Sequence, residues 1–289
     1  MLSAIIDYLI CPVCGADVHL DGRSIRCASN HSFDIARQGY VNLLPGGAQA
    51  GTADTAAMVE ARAAFLAEGH FASLARRLTD GVTARTDLSG DHARAPLIID
   101  AGAGTGYYLS TVLDRCPHAV GAAIDISKFA IRKTARAHPR IGAVVADLWS
   151  PLPIRPAAAD AILNVFAPRN PEEFHRVLRP DGALLVVSPT ARHLQEVVRP
   201  LRLLTVDEDK AGQLDSALGA RFVLVDRDEH EIDLWLSHPA VAALARMGPS
   251  AWHRTPADIG RRLAGLPEPL RVTASFTVST YQAQPMTRP

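Results

Sequence analysis

From Leu97 onward the chain alternates short, continuous apolar runs with helical stretches. Leu97-Ile98-Ile99, Ala119 to Ile124, Ile141 to Ala146, Asp160 to Val165 and Ala183 to Val187 read as strands covered on both faces. Between them, Tyr108 to Leu113, a run ending near Ala137 and a short stretch ending at Leu178 read as helices. Strand and helix in this order predict a mostly parallel sheet with right-handed crossovers, a Rossmann-like α/β fold. Upstream, Met58, Ala61, Phe65, Leu66, Leu74 and Leu78 recur at helical spacing between Ala56 and Thr79, and Gly69-His70-Phe71 divides that run into two helices. Downstream, Phe222 to Leu236 predicts a long strand or hairpin, and Ala240 to Met247 a helix. The alternation of Val272, Ala274, Phe276, Val278 and Thr280 predicts a final antiparallel strand at the sheet edge. Near the start, Val18-His19-Leu20 and Ser24-Ile25-Arg26 flank Asp21-Gly22, a hairpin.

The first apolar run ends in Asp100-Ala101-Gly102-Ala103-Gly104-Thr105-Gly106. Alternate glycines let the backbone approach a bound molecule and turn where a side chain would clash. A dinucleotide fingerprint wants its third glycine one position later and leaves room for a pyrophosphate. Here the pattern Asp-x-Gly-x-Gly-x-Gly opens with an acid, which suits a cationic ligand such as the ammonium and sulfonium of S-adenosylmethionine. The predicted fold is therefore a class I methyltransferase. Asp125 closes the second strand about twenty residues later, where an acid accepts from ribose hydroxyls; it also suits a helix cap before Ser127. Asp147 closes the third strand and is placed for the adenine ring, or for a surface turn. Asn164 to Pro168 leaves the fourth strand facing the transferred methyl. Phe71 is a candidate lid residue or core, and Trp252 and His253 are candidates for the substrate cleft.

Cysteines add a second chemistry. Cys11, Cys14, Cys27 and His31 form Cys-x2-Cys-x12-Cys-x3-His, the spacing of a closed, structural zinc site in a small zinc-ribbon-like module. A disulfide, or His19 in place of His31, is the alternative; Cys116 lies apart and reads as buried. Beside the module, Phe33, Arg37, Gln38, Tyr40 and Asn42 suit either stacking on splayed bases or packing of Phe33, Tyr40, Leu43 and Leu44 against the neighbouring domain. The expected division is 1–45 zinc module, 46–96 linker and helical cap, 97–289 methyltransferase domain.

The 30 basic and 30 acidic residues cancel, so no global field announces a nucleic-acid partner. A local patch is left to do so: Arg169, Arg176, Arg179, Arg192, Arg199 and Arg202 suit phosphate contact or simply a solvated face. No apolar run is long enough for a membrane span, and Met1 to Ile10 lacks the marks of a secretion signal, so a cytoplasmic protein is expected.

Taken with Phe33-Asp34, Gly39 to Leu44, the stretch from Arg62 to His70, Phe166-Ala167-Pro168, Arg192-His193-Leu194 and Met247 to Trp252, these motifs resemble the large-subunit ribosomal RNA guanine-N1 methyltransferases over almost the whole chain. The resemblance implies S-adenosylmethionine as methyl donor and one structural zinc on Cys11, Cys14, Cys27 and His31. It implies a ribosomal RNA hairpin as substrate, homodimers in some members, and in one branch resistance to tylosin-type macrolides. It sets Phe71, Gly104, Thr105, Gly106 and His193 near the cofactor. Guanine N1 must lose a proton, which makes Asn164, His193 and Asp147 candidates for a base or an oxygen-stabilising donor. A methyltransferase with a small-molecule acceptor and a non-catalytic zinc protein are the rival readings.

Overall fold

The structure, a computed structural model, describes residues 2–45, 53–86, 94–205, 210–252 and 254–285. His253 and part of the expected linker, 46–52, lie outside them. Strands β1 (Val18–Asp21), β2 (Ser24–Cys27) and β3 (Ser32–Asp34) form a small antiparallel sheet, and β4 (Tyr40–Asn42) follows. Helices α1 (Ala56–Ala67) and α2 (Ala72–Arg85) lead into β5 (Leu97–Ala101), α3 (Tyr107–Arg115), β6 (Val120–Asp125), α4 (Lys128–Thr134), β7 (Ile141–Val145) and β8 (Ala159–Val165). Next come α5 (Pro171–Val177), β9 (Leu178–Pro189), α6 (Gln195–Leu201), α7 (Lys210–Leu218), β10 (Phe222–Leu236), α8 (His238–Met247), α9 (Pro256–Leu263) and β11 (Leu270–Ala283).

Eight of these strands make one sheet in the order β10-β11-β9-β8-β5-β6-β7-β4, parallel from β4 to β9 and antiparallel beyond. The strand order reverses beside β5, and in open sheets of this kind ligands bind at the carboxyl ends of the strands at such a point, here β5 and β8. One expectation needs correction. The final strand, β11, is not at the edge: it lies between β9 and β10, buried along most of its length, and β10 takes the edge. Its alternation is that of an interior strand flanked by hydroxyl residues Thr273, Ser275, Thr277 and Ser279, which are buried as well.

Alternate residues of each strand feed two cores. Ile98, Ala123, Val145 and Leu163 meet α2, α3, α4, α6, α8 and α9 on one face. Ile99, Ile124, Val144 and Ile162 meet α5 and α7 on the other, together with Leu2, Ile5, Leu9, Val18 and Ile25. The second face is where the chain departs from simple alternation. Residues 146–158 connect β7 to β8 without a helix, and the N-terminal segment covers the gap. Ile10 N–H donates to the Pro153 carbonyl (3.1 Å) and Arg155 N–H to the Tyr8 carbonyl (2.9 Å). Gly142 on β7 makes room for this cover, since a Cβ there would stand 2.2 Å from Ile5. The chain passes from the small sheet straight into the large one, where Tyr40–Asn42 pairs in parallel with Ala143–Val145. Tyr40 and Leu44 pack on the first core, Phe33 on the second, and Leu43 is buried, so these residues pack as one of the two readings expected.

Candidate active site and metal centre

At the end of β5 the glycine turn is folded as its spacing requires. Gly102, Gly104 and Gly106 all take positive φ, and Gly106 caps α3. Gly102 is the most constrained, with φ at 89° and a would-be Cβ only 2.2 Å from the Cβ of Ala167, which leads out of β8. Gly102→Ala is therefore expected to cost the strain and the overlap together, each of order 1–3 kcal/mol. Denaturant unfolding reads that loss, and unchanged stability would contradict the packing.

Asp100, 1% exposed, has an Oδ2 with no hydrogen-bond partner among the described residues. Burial first and the Asp125 charge second push its carboxyl up to about 7, against the pull of the Leu109 N–H. A buried, under-satisfied carboxylate beside a glycine cradle fits a cationic ligand. Asp125, at the end of β6, accepts from Gly104 N–H and Ser127 N–H, each at 2.8 Å, so cap and turn are tied by one carboxylate. Asp147, just past β7, accepts from Trp149 N–H (3.0 Å) and Ser150 Oγ (3.4 Å), with Trp149 itself exposed. The three acids thus stand at the carboxyl ends of three adjacent strands, and Thr105 lies within the turn between them.

Asn164 is fully buried and donates to the carbonyls of Ala101 (3.1 Å) and Pro168 (2.8 Å). Those bonds clamp the exits of β5 and β8 together, and its Oδ1 is left unpartnered among the described residues. Phe166, next but one, takes a left-handed φ of 55° and is exposed. Its ring lies 6.4 Å from that of His193 and 5.3 Å from that of Phe276. His193 Nδ1 accepts the backbone N–H of Ser275 (3.3 Å), so its neutral ring carries the proton on Nε2. Phe71 is placed differently from a lid residue: at 2% exposure it is held edge-on between Phe65 and Phe276, each 5.2 Å away.

The four predicted metal ligands converge, with all ligand atoms within 4.8 Å of one another. Cys14 Sγ to Cys27 Sγ is 3.8 Å, and His31 Nδ1 lies 3.5 Å from Cys11 Sγ and 3.4 Å from Cys27 Sγ. A tetrahedron with zinc–sulfur bonds of about 2.3 Å has edges of this size. All four cysteines are free thiols, and His19 is exposed on β1 outside the cluster. Cys116 is buried apart from it, as expected.

Comparison with known proteins joins the two sites. A zinc-ribbon model described as "RlmA, N-terminal" matches residues 9–49, and a methyltransferase-domain model matches 98–182. The chain is 45% identical to the 23S rRNA (guanine(748)-N(1))-methyltransferase of Streptomyces fradiae, covering 99% of this chain and 100% of that one. The chain belongs to the 23S rRNA guanine-N1 methyltransferase family.

A putative member from Micromonospora griseorubida is 48% identical over 96% of this chain and 98% of its own length. Among solved structures, the complex of the Haloferax volcanii Trm112 methyltransferase activator with a putative methyltransferase aligns at a TM-score of 0.50. At 17% identity, covering 79% of this chain and 96% of that one, it shows likeness of fold. As a member of the guanine-N1 family the enzyme takes S-adenosylmethionine as donor, RNA as substrate and one structural zinc. No helix among the described residues is long and apolar enough to cross a membrane.

Two residues at the family's cofactor turn escaped the sequence reading. Arg62 on α1 places Nη1 3.2 Å from the Cβ position of Gly104, donates to the Met247 carbonyl (2.7 Å) and is ion-paired with Asp54. The Asp54 carbonyl accepts from Ser127 Oγ (2.7 Å). The available signal was an arginine one turn from both Met58 and Leu66, on the apolar face of α1. Among the described residues, three of the six arginines in the basic stretch after β8 are ion-paired within the fold: Arg176 pairs with Glu173, Arg179 with Asp160 and Asp181, and Arg192 with Glu231. Trp252 is exposed and borders a cleft with Met58, Arg246 and Arg254.

Proposed function

We propose that this enzyme, acting in the cytoplasm, methylates N1 of guanine 748 in a hairpin loop of 23S rRNA. One observation carries the reading: the match to the Streptomyces fradiae enzyme, named for that guanine, runs through both the metal module and the glycine turn. When bound, S-adenosylmethionine would supply an electrophilic methyl on a sulfonium; N1 would take it as the carbon–sulfur bond breaks toward sulfur, with the N1 proton passing to solvent water.

The protein's share is positioning and charge. Asp100 holds the ammonium of the donor, Asp125 the ribose hydroxyls and Asp147 the adenine amine, while the backbone at Gly102, Gly104, Thr105 and Gly106 lies against the amino-acid end. Phe71 acts from behind, by holding the ring of Phe276. Asn164 keeps the exits of β5 and β8 in register, a positioning role. His193, with its proton on Nε2, donates to the guanine O6 and stabilises the negative charge that develops there as N1 deprotonates. Phe166, exposed in a strained conformation beside it, offers a face for the flipped base, which leaves a hairpin loop at a cost of a few kcal/mol. The zinc module reads the rest of the hairpin. The domain limits that go with this reading are 1–45, 46–96 and 97–289.

Labelled methyl transfer to large-subunit RNA from a strain lacking the gene, followed by primer extension, tests it. A stop at guanine 748 is expected. A stop at a neighbouring guanine would move the target, and no incorporation by a protein that still binds donor would favour a small-molecule acceptor. Sedimentation of the same preparation decides whether the enzyme is a homodimer.

A further inference from the structure

The donor's amino-acid end is a zwitterion. Asp100 answers its ammonium, and its carboxylate calls for a cation at the same turn. Among the described residues, the cation that the turn's glycines meet is Arg62: Nη1 at 3.2 Å and Cδ at 3.6 Å from the Cβ position of Gly104. The Arg62 side chain is three-quarters buried and leaves α1 on the face that carries buried Met58 and Leu66, a placement that costs desolvation unless it serves a partner. Both charges act on the buried phenol of Tyr108. Burial raises its phenol most, Tyr107 adds to this, and both Arg62 and Asp100 act on it, the arginine lowering and the acid raising.

The partner that Arg62 holds is itself a carboxylate. Asp54 takes Nη1, and Asp54 is fixed by Ser127 Oγ, whose backbone N–H is bound to Asp125. Thr55, next in the chain, caps α1 by accepting from Met58 N–H. Residues 53–55 therefore run as a strap from Ser127, beside Asp125, into the helix that carries Arg62.

We propose that Arg62 binds the carboxylate of S-adenosylmethionine and of its demethylated product, and that Asp54 competes for the same guanidinium. A planar fork that donates two parallel hydrogen bonds to a carboxylate suits either anion, but not both at once. Binding of the donor then exchanges an internal ion pair for an external one and frees the strap at Asp54. The inference rests on S-adenosylmethionine being the cofactor.

Titration calorimetry on the full chain tests it with two probes, S-adenosylhomocysteine and 5′-methylthioadenosine, which lacks the amino-acid end. Arg62→Gln is expected to weaken S-adenosylhomocysteine roughly tenfold or more, the size of a lost charged hydrogen bond, and to leave methylthioadenosine within about twofold. Arg62→Lys is expected to recover part of the loss. Asp54→Asn, which keeps shape and removes the competing charge, is expected to tighten S-adenosylhomocysteine several-fold, with methylthioadenosine again unmoved. Equal weakening of both probes by Arg62→Gln would make Arg62 a scaffold residue and overturn the assignment. Unchanged or weaker S-adenosylhomocysteine binding by Asp54→Asn would overturn the competition, and that variant decides if Arg62→Gln does not fold. If the unaltered protein binds neither probe, it is the cofactor reading that fails.

Discussion

Cys14→Ala is expected to empty the metal centre, taking zinc from one equivalent to none by metal analysis, and to unfold the N-terminal module. Cys14 is exposed, unlike Cys11 and Cys27, so its truncation removes a ligand and almost no packing. The loss is that of the ion, and structural zinc contributes about 10–16 kcal/mol to modules of this kind. Hydrogen exchange should show β1 to β3 losing protection. Because Val18, Ile25 and Cys27 share a core with Ile99, Ile124 and Val144, the thermal midpoint of the whole protein should fall with them. A variant that kept its zinc, or lost it with the midpoint unmoved, would show that the metal does not hold this fold together.

Asp100→Asn is expected to move binding and stability in opposite directions. The substitution keeps the shape of the side chain and removes the charge proposed to meet the donor's ammonium. Affinity for S-adenosylhomocysteine should fall about 10- to 100-fold, the 1.5–3 kcal/mol of a charged hydrogen bond. The fold, by contrast, prefers Asp100 protonated, with a value raised from 3.8 to about 7 by burial and by Asp125. Between those two values the unfolded chain has given up a proton that the folded protein keeps. The ligand-free enzyme therefore loses stability as pH rises through that window, and Asp100→Asn should be more stable than the unaltered protein above it. Ligand affinity has the other sign: it should rise toward about pH 7, as Asp100 ionises, and that rise should vanish in the variant. Calorimetry across that range, with denaturant unfolding in parallel, measures both. A variant that lost affinity and stability together would point to a structural carboxyl instead.

What could be read from the sequence was local. Asp100 with Gly102, Gly104 and Gly106 announces its own geometry, because glycine spacing within seven residues dictates the turn. Cys11, Cys14, Cys27 and His31 do the same through ligand spacing. Hidden were the contacts that only the folded chain makes. Three residues, Tyr40–Asn42, carry no signal that they will pair with Ala143–Val145. Alternation in β11 describes two different faces, but not which strand lies beyond it, so β10 and β11 exchanged places as edge. Phe71 has the character of a lid and the burial of a core residue, since Phe276, far along the chain, closes over it. Arg62 and Asp54 come together with Gly104 only when α1 folds back on the turn.

The cover over residues 146–158 bears on how such proteins can be recombined. A metal module that merely preceded a catalytic domain could be exchanged between relatives as a cassette, with specificity travelling along. Here Ile5 rests where Gly142 has no side chain, and Tyr8 and Ile10 are bonded to Arg155 and Pro153. A transplanted module brings the wrong lid for a floor shaped to another, and a chimera joined in the linker would leave half a layer unmatched. The unit that can be moved intact is the N-terminal segment together with β7 and the loop it covers, two pieces far apart in the gene that have to change hands as one.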